Sequence, residues 1–347
     1  MKLIVEISQG LGNCIQGTPL LRALWLMGHD VDLYVNSPIA DKLKPLWSDW
    51  EILGRIFTHH DQINIKDYDF GVSAYGRRQL VRMFPPGLCL KVEKRHVKHQ
   101  SESEANVELA RWLGYAGPTP RGYVKPHDPN LELPPEKRHK RTPPIGAVMV
   151  HAGCDPKSAV KRWPHWPELC RRIADSGRDV IIVGTHEDRS ESNWEDEFNA
   201  QFHMELPELA ALLDVSSAYL GNDSGVGHLA AAIGLPGLML YGPSNPVKNA
   251  PNSKVMRALV APAEEGEGHD VNHERPVPIE RLTLDEVWGE VEKLLEDPQR
   301  DAERDLPERV EDSVEKRWEH YVAMTQAQAE PEGVEESANL PQGFTPK

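Results

Sequence analysis

Twice in this chain a short apolar strand runs into a glycine-bearing turn, then a helical segment, then another apolar strand. The first series opens with "KLIVEIS", turns through "QGLGN", continues as the helical "CIQGTPLLRALWLMG" and returns as "HDVDLYV". The second opens with "IGAVMVHAG" and proceeds through the helix "WPELCRRIADSG", closed by Gly177, and the strand "RDVIIVGTHED". It continues with the helix "LPELAALLDVS", the short strand "AYLGNDSG" and the strand "LPGLMLYGP". Strands joined through helices lie parallel, and parallel sheets need helices on both faces. The expected fold class is therefore α/β, as two doubly wound halves facing one cleft.

Between the two series, residues 126–144, "PHDPNLELPPEKRHKRTPP", are rich in proline and charge and read as a linker. A helix is expected just before it, at "SEANVELARWLGY", where Leu109 and Leu113 stand i, i+4. A chain of 347 residues has room for two domains of roughly 100–200 residues each. The division expected is 1–125, a linker at 126–144, 145–300, a helix within 301–325 and a tail at 326–347. In the helix, Val310, Val314, Trp318 and Tyr321 recur at helical spacing.

The net charge of −15 is unevenly placed: residues 264–347 hold 24 acidic residues against 9 Lys and Arg, which leaves the rest neutral. The end of that segment, "AQAEPEGVEESANLPQGFTPK", is polar and reads as a disordered, solvated tail. Residues 76–99 form a basic stretch with seven Lys/Arg, one Glu and two His. It is either a solvated face or a site for an anionic partner. Nucleic acid is one such partner, but single-strand binders interleave aromatic residues and this stretch has only Phe84.

No apolar run reaches the roughly 18 residues of a membrane span, and "MKLIVEISQG" reads as a strand rather than a leader. Cys14, Cys89, Cys154 and Cys170 form no CxxC or zinc spacing and read as small thiols in a reducing compartment. The expected location is cytoplasmic, at most peripheral on the inner membrane surface.

Open α/β sheets bind ligands beyond the C-terminal ends of their strands. "GNDSGVGHLAAAIG" lies at such an end, ahead of a helix whose free N–H groups and partial positive charge suit phosphate. Gly225 lets the backbone approach a ligand, and Ser224 either caps the helix or bonds a phosphate oxygen. Asp223 would repel a phosphate but suits the hydroxyls of a sugar. A second loop, "HAGCDPKSAVKRWPHW", faces the same cleft and offers Lys161 and Arg162 as cations for a phosphate. The first loop, with Gly10 and Gly12 but Ile15 at the third glycine position, departs from the dinucleotide fingerprint. The "DVD" at 30–32 opens a strand of period two and reads as structural.

"GNDSGVGHLAAAIGLPGLMLYGPSNP" resembles the donor-binding motif of glycosyltransferase family 9, the heptosyltransferase-like family. "GLGNCIQGTPLLRAL", "KRWPHWPELCRRIADSGRDVIIVG" and "LPELAALLDVSSAYLGNDSG" are similar to its other segments, in the family's order. The resemblance implies the GT-B architecture, two Rossmann-like domains with the acceptor on the first and a nucleotide-sugar donor on the second. It also implies a C-terminal helix packing back on the first domain, no metal and no cofactor. The reaction implied is inverting transfer of a heptose-like or hexose sugar to an acceptor hydroxyl, in bacterial surface-polysaccharide assembly. The acceptor would be a saccharide or a phosphorylated, lipid-linked one.

On this resemblance Asp223 and Lys161 contact the donor sugar, with Lys161 also near its phosphates. Ser224 and Gly225 contact the diphosphate, His228 stands behind the loop, Arg162 belongs to the donor side, and Thr185 and Glu187 fall near the ribose. Gly10, Gly12, Gln16, Arg77 and Arg78 fall on the acceptor side. Many members carry Gly-Asp in the first loop, the Asp being the proposed base; this chain has Gly12-Asn13, and an amide accepts no proton at neutral pH. Either Asn13 orients the acceptor or the base lies elsewhere, with Asp155 and His151 as candidates. A nucleotide-sugar epimerase of related fold is the alternative enzyme, and a glycosyltransferase or binding protein acting on nucleic acid is the other reading.

Overall fold

The computed structural model describes residues 1–93, 99–124, 146–202 and 204–301. The first series forms β1 (Lys2–Ser8), α1 (Leu11–Leu26), β2 (Asp30–Asn36), α2 (Ala40–Leu43), β3 (Leu53–Phe57), β4 (Phe70–Ser73), α3 (Gln79–Met83), β5 (Cys89–Lys91) and α4 (Glu102–Trp112). The second forms β6 (Val148–His151), α5 (Trp166–Asp175), β7 (Val180–Val183), β8 (Asn199–Gln201), α6 (Leu206–Val215) and β9 (Ala218–Asn222). It ends with α7 (Gly225–Ile233), β10 (Gly237–Tyr241), α8 (Pro246–Asn249), β11 (Met256–Val260) and α9 (Leu284–Glu296).

The strands make two parallel sheets, ordered β3-β2-β1-β4-β5 and β11-β10-β9-β6-β7-β8. Their central strands are apolar on both faces, as parallel strands under helices must be. Leu3, Ile4, Val5 and Ile7 of β1 are fully buried, each contributing roughly 2 kcal/mol of transfer free energy. In the first sheet the chain runs outward from β1 to β3 and then restarts on the other side at β4. In the second it runs from β6 to β8 and restarts at β9. Each sheet therefore has a switch point, beside β1 and between β6 and β9, where a crevice opens at the C-terminal strand ends.

The two halves share one apolar core, which runs from Leu3 and Leu20 of the first to Leu229 and Tyr241 of the second. The N-terminus of α1 meets that of α7 so closely that a Cβ on Gly12 would stand 2.9 Å from His228 Cδ2, and one on Gly225 3.2 Å from the Gly12 nitrogen. The segment after α4 is tied to the second half as well. Arg121 forms a buried ion pair with Asp301 at 3.0 Å, and Asn252 Nδ2 donates to the carbonyls of Thr119 and Pro120. Arg300 donates to the carbonyls of Leu213, Asp214 and Ser216 and so satisfies the last turn of α6.

The expected linker at 126–144, the helix within 301–325 (beyond Asp301) and the tail at 326–347 lie outside the described residues. The "DVD" reading holds: Asp32 is buried and accepts from Arg55 and from the Tyr68 hydroxyl, a structural cluster at the sheet's margin. The four cysteines are free thiols. No helix among the described residues is long and apolar enough to cross a membrane.

Candidate functional site

A cleft of about 660 Å³ lies where the two switch points face each other. One wall is the β1–α1 loop with Gly10, Gly12, Asn13 and Gln16; the other is built by the loops after β6, β7 and β9. Two helices point their N-termini into it. The N-cap of α1 is Gly10, which has no side chain to give, and the N-cap of α7 is Ser224, whose hydroxyl makes no capping bond. The Ser224 hydroxyl lies instead 3.0 Å from His151 Nδ1. The capping reading of Ser224 is thus not realised, and the first N–H groups of both helices are left for the cleft.

The second wall is a closed polar network. Asn222, fully buried at the end of β9, accepts through Oδ1 from the Trp163 backbone N–H and from Trp166 Nε1, and donates through Nδ2 to the carbonyls of Ala152 and Gly153. All its capacity is used in pinning "KRWP" and the β6 loop to the α7 loop. Trp163 Nε1 adds a bond to the Leu282 carbonyl. The pinned loop delivers Lys161, whose ammonium stands 2.7 Å from Asp223 Oδ2, with both groups largely buried.

Behind them Asp188 accepts from the Thr185 backbone and hydroxyl and stands 3.6 Å from His151 Nε2. Burial pushes its carboxyl up, but His151 and the Thr185 bonds outweigh burial and bring it down to about 2. His228, behind Gly12, is held down at about 4 by burial, so its imidazole is neutral at pH 7.

Lys161, Thr185, Glu187, Asp223, Ser224, Gly225 and His228 all line the cleft, as do Gly10, Gly12, Asn13 and Gln16. His151 and Asp155 line it too, both on the second wall. His151 is engaged with Ser224, and Asp155 accepts from the Lys157 backbone N–H. Three expected residues are not in the lining. Arg162 donates to the Glu187 carbonyl and lies 3.8 Å from Asp188, bracing the β7 loop. Arg78 pairs with Glu93, and Arg77 is tied through its backbone N–H to Ser8 Oγ. Lys91 shares Glu93 with Arg78, so two cations of the basic stretch meet its one carboxylate; residues 94–98 lie outside the described residues.

Two acidic residues went unread in the sequence. Asp188 stands beside Glu187 in the β7 loop. Glu102 lies in the first turn of α4, and Asn13 Nδ2 donates to both its oxygens, at 2.9 and 3.1 Å. It is buried, and burial pushes its carboxyl up to about 7 against the opposing pull of Asn13 and Lys248. In sequence it is one of several acids opening an ordinary helix, 89 positions from its partner.

A family model described as "Glycosyltransferase family 9 (heptosyltransferase)" matches residues 75–277, more than half of the chain, from before β5 to beyond β11. The chain belongs to glycosyltransferase family 9. Among characterised family members, lipopolysaccharide heptosyltransferase 2 of Escherichia coli (strain K12) is 32% identical over 114 residues, which span 28% of this chain and 32% of that protein. The chain thus matches about a third of that relative's length. Two solved structures share the fold. The family 9 glycosyltransferase of Veillonella parvula DSM 2008 superposes with a TM-score of 0.67 at 16% identity, over 85% of this chain and 97% of that one. The E. coli ADP-heptose lipopolysaccharide heptosyltransferase II superposes with a TM-score of 0.62 at 19% identity, over 85% and 98%. The two-sheet architecture is therefore GT-B, and family membership sets aside the epimerase reading.

Proposed function

We propose that this family 9 glycosyltransferase moves a heptose from a nucleoside-diphosphate donor to a saccharide hydroxyl, with inversion, in lipopolysaccharide assembly. The observation that carries the reading is the meeting of two uncapped helix N-termini, one from each sheet, beside the Lys161–Asp223 pair. A diphosphate needs N–H donors and a cation; the α7 terminus and Lys161 supply them on one wall. Asp223 then faces the sugar hydroxyls, and Thr185 and Glu187 lie within the same lining for the ribose.

In the proposed reaction the acceptor oxygen attacks the anomeric carbon from the first wall, and the diphosphate leaves toward α7. Positive charge on the second wall would stabilise that leaving group without a metal, and such charge stabilisation often contributes more to catalysis than any other effect. ADP-heptose is the donor named for the E. coli heptosyltransferase II structure and is the first to try. The acceptor is proposed to be a lipid-linked core saccharide, which would bring the enzyme to a membrane surface peripherally.

The test is incubation of the full chain with ADP-heptose and lipopolysaccharide lacking its heptoses, followed by mass spectrometry. One added heptose per acceptor with release of ADP supports the reading. Binding of ADP-heptose without any transfer, across a panel of truncated acceptors, would remove the heptosyltransferase assignment.

A further inference from the structure

Glu102 is a buried carboxyl that has no ion pair among the described residues and a single side-chain donor, Asn13 Nδ2. Such a group is costly to keep, and a glutamine would hold Asn13 equally well at lower cost. Among the described residues, the charged and titratable groups facing it are Cys14 on α1 and Lys248 on α8. Lys248 belongs to the opposite half of the molecule and lies 5.1 Å from the centre of the Tyr75 ring. Asn13 lines the cleft and Glu102 does not. The Asn13 amide nitrogen is committed to Glu102, which leaves the amide oxygen for the cleft.

We propose that Asn13 and Glu102 act together as the proton acceptor for the attacking hydroxyl, a role that rests on the transfer reading above. The hydroxyl donates its hydrogen bond to Asn13 Oδ1. As its oxygen forms the bond to the anomeric carbon, its proton passes to Oδ1 and one Nδ2 proton passes to the Glu102 carboxylate. The bond from the anomeric carbon to the diphosphate oxygen breaks, and the nucleoside diphosphate leaves with the electron pair. Asn13, left as the imidic acid, regains its Nδ2 proton from Glu102 and releases the Oδ1 proton to water as product departs. An amide alone accepts no proton at neutral pH, so the carboxylate behind it supplies the basicity the cleft-facing position lacks. A group titrating near 7 is well matched to that task.

The test follows heptose transfer from ADP-heptose to heptose-free lipopolysaccharide from pH 5 to 9, with ADP-heptose affinity measured separately by calorimetry. Glu102→Gln is expected to lower kcat by about 10²–10⁴-fold, leave ADP-heptose affinity unchanged and abolish the acid limb near pH 7. The double variant Asn13→Asp with Glu102→Gln puts the carboxylate on the cleft wall and an amide behind it; it is expected to regain at least about tenfold of the lost rate. Wild-type kcat in Glu102→Gln, or survival of the acid limb in its residual activity, overturns the proposal. So does a parallel loss of ADP-heptose affinity, which marks a merely structural role. If Glu102→Gln does not fold, Asn13→Ala serves instead: its rate should fall and the acid limb near pH 7 should disappear, and survival of that limb overturns the proposal. A wild-type chain that neither binds ADP-heptose nor transfers its sugar overturns the transfer reading itself, and with it this one.

Discussion

The two walls of the cleft treat buried carboxylates in opposite ways. On the second wall the buried carboxylates and the pinning amide are answered: Asn222 makes four bonds, Lys161 and Asp223 neutralise each other, and Asp188 is held by Thr185 and His151, while His228 Nδ1 and Arg162 Nε have no hydrogen-bond partner among the described residues. Among the described residues, Glu102 on the first wall has one amide for a partner, and Gln16 Oε1 has no hydrogen-bond partner. A satisfied network is rigid and fits a wall that must hold a large charged ligand in one pose. An under-compensated carboxyl fits a place where a proton is to arrive. The difference separates binding from proton transfer.

The sharpest way to break the first half of the comparison is Asn222→Ala. It orphans the Trp163 and Trp166 donors and two carbonyls, and should destabilise the fold by about 4 kcal/mol, read by denaturant unfolding. A loss within experimental error would mean the wall is not held by that residue.

Glu102 tests the other half through stability. Its folded carboxyl titrates at about 7, well above the ordinary range of an exposed glutamate. A raised acid contributes stability that is fully present below the unfolded value and is lost as pH rises through the folded one. Wild type should therefore lose about 3 kcal/mol between pH 4 and pH 8 from this group, and Glu102→Gln should not. The variant should melt above wild type at pH 8 and alongside it at pH 4. Parallel pH profiles would show that the carboxyl is not under-compensated.

The smaller effects sharpen the division of labour. Asp223→Ala should cost about 100-fold in transfer rate with ADP-heptose. Melting should move far less, since the unpaired Lys161 side chain keeps partial access to water. Lys161→Ala should weaken ADP binding by about tenfold and leave adenosine binding unchanged, because only ADP carries the phosphates the ammonium would meet. Equal losses for the two ligands by calorimetry would take Lys161 off the phosphate path.

The central strands were legible because β1, β6, β7, β9 and β10 are short apolar runs bounded by turns. The edge strands β3, β5, β8 and β11 were not, since "LGRIF", "CLK", "NAQ" and "MRALV" are half-exposed or only three residues long and carry no clear pattern. The second wall was largely readable because most of its residues cluster in the loops after β6 and β9 with distinctive chemistry, whereas Asp188 in the β7 loop carries no such signal. The first wall was only half readable. Asn13 stood out by its departure from the family's Asp, but Glu102 reaches it through the packing of α1 on α4, a contact no local spacing announces. Arg162 differs from Lys161 in a way its sequence position does not announce: the two adjacent cations make different contacts, and the second braces the β7 turn.

The most direct test of the account is a crystal structure of the chain soaked with ADP. The diphosphate is expected at the start of α7, with oxygens about 3 Å from the backbone nitrogens of Gly225 and Val226 and from Lys161 Nζ, drawn off Asp223. ADP bound with its phosphates away from both helix N-termini, or no binding at millimolar concentration, would contradict it.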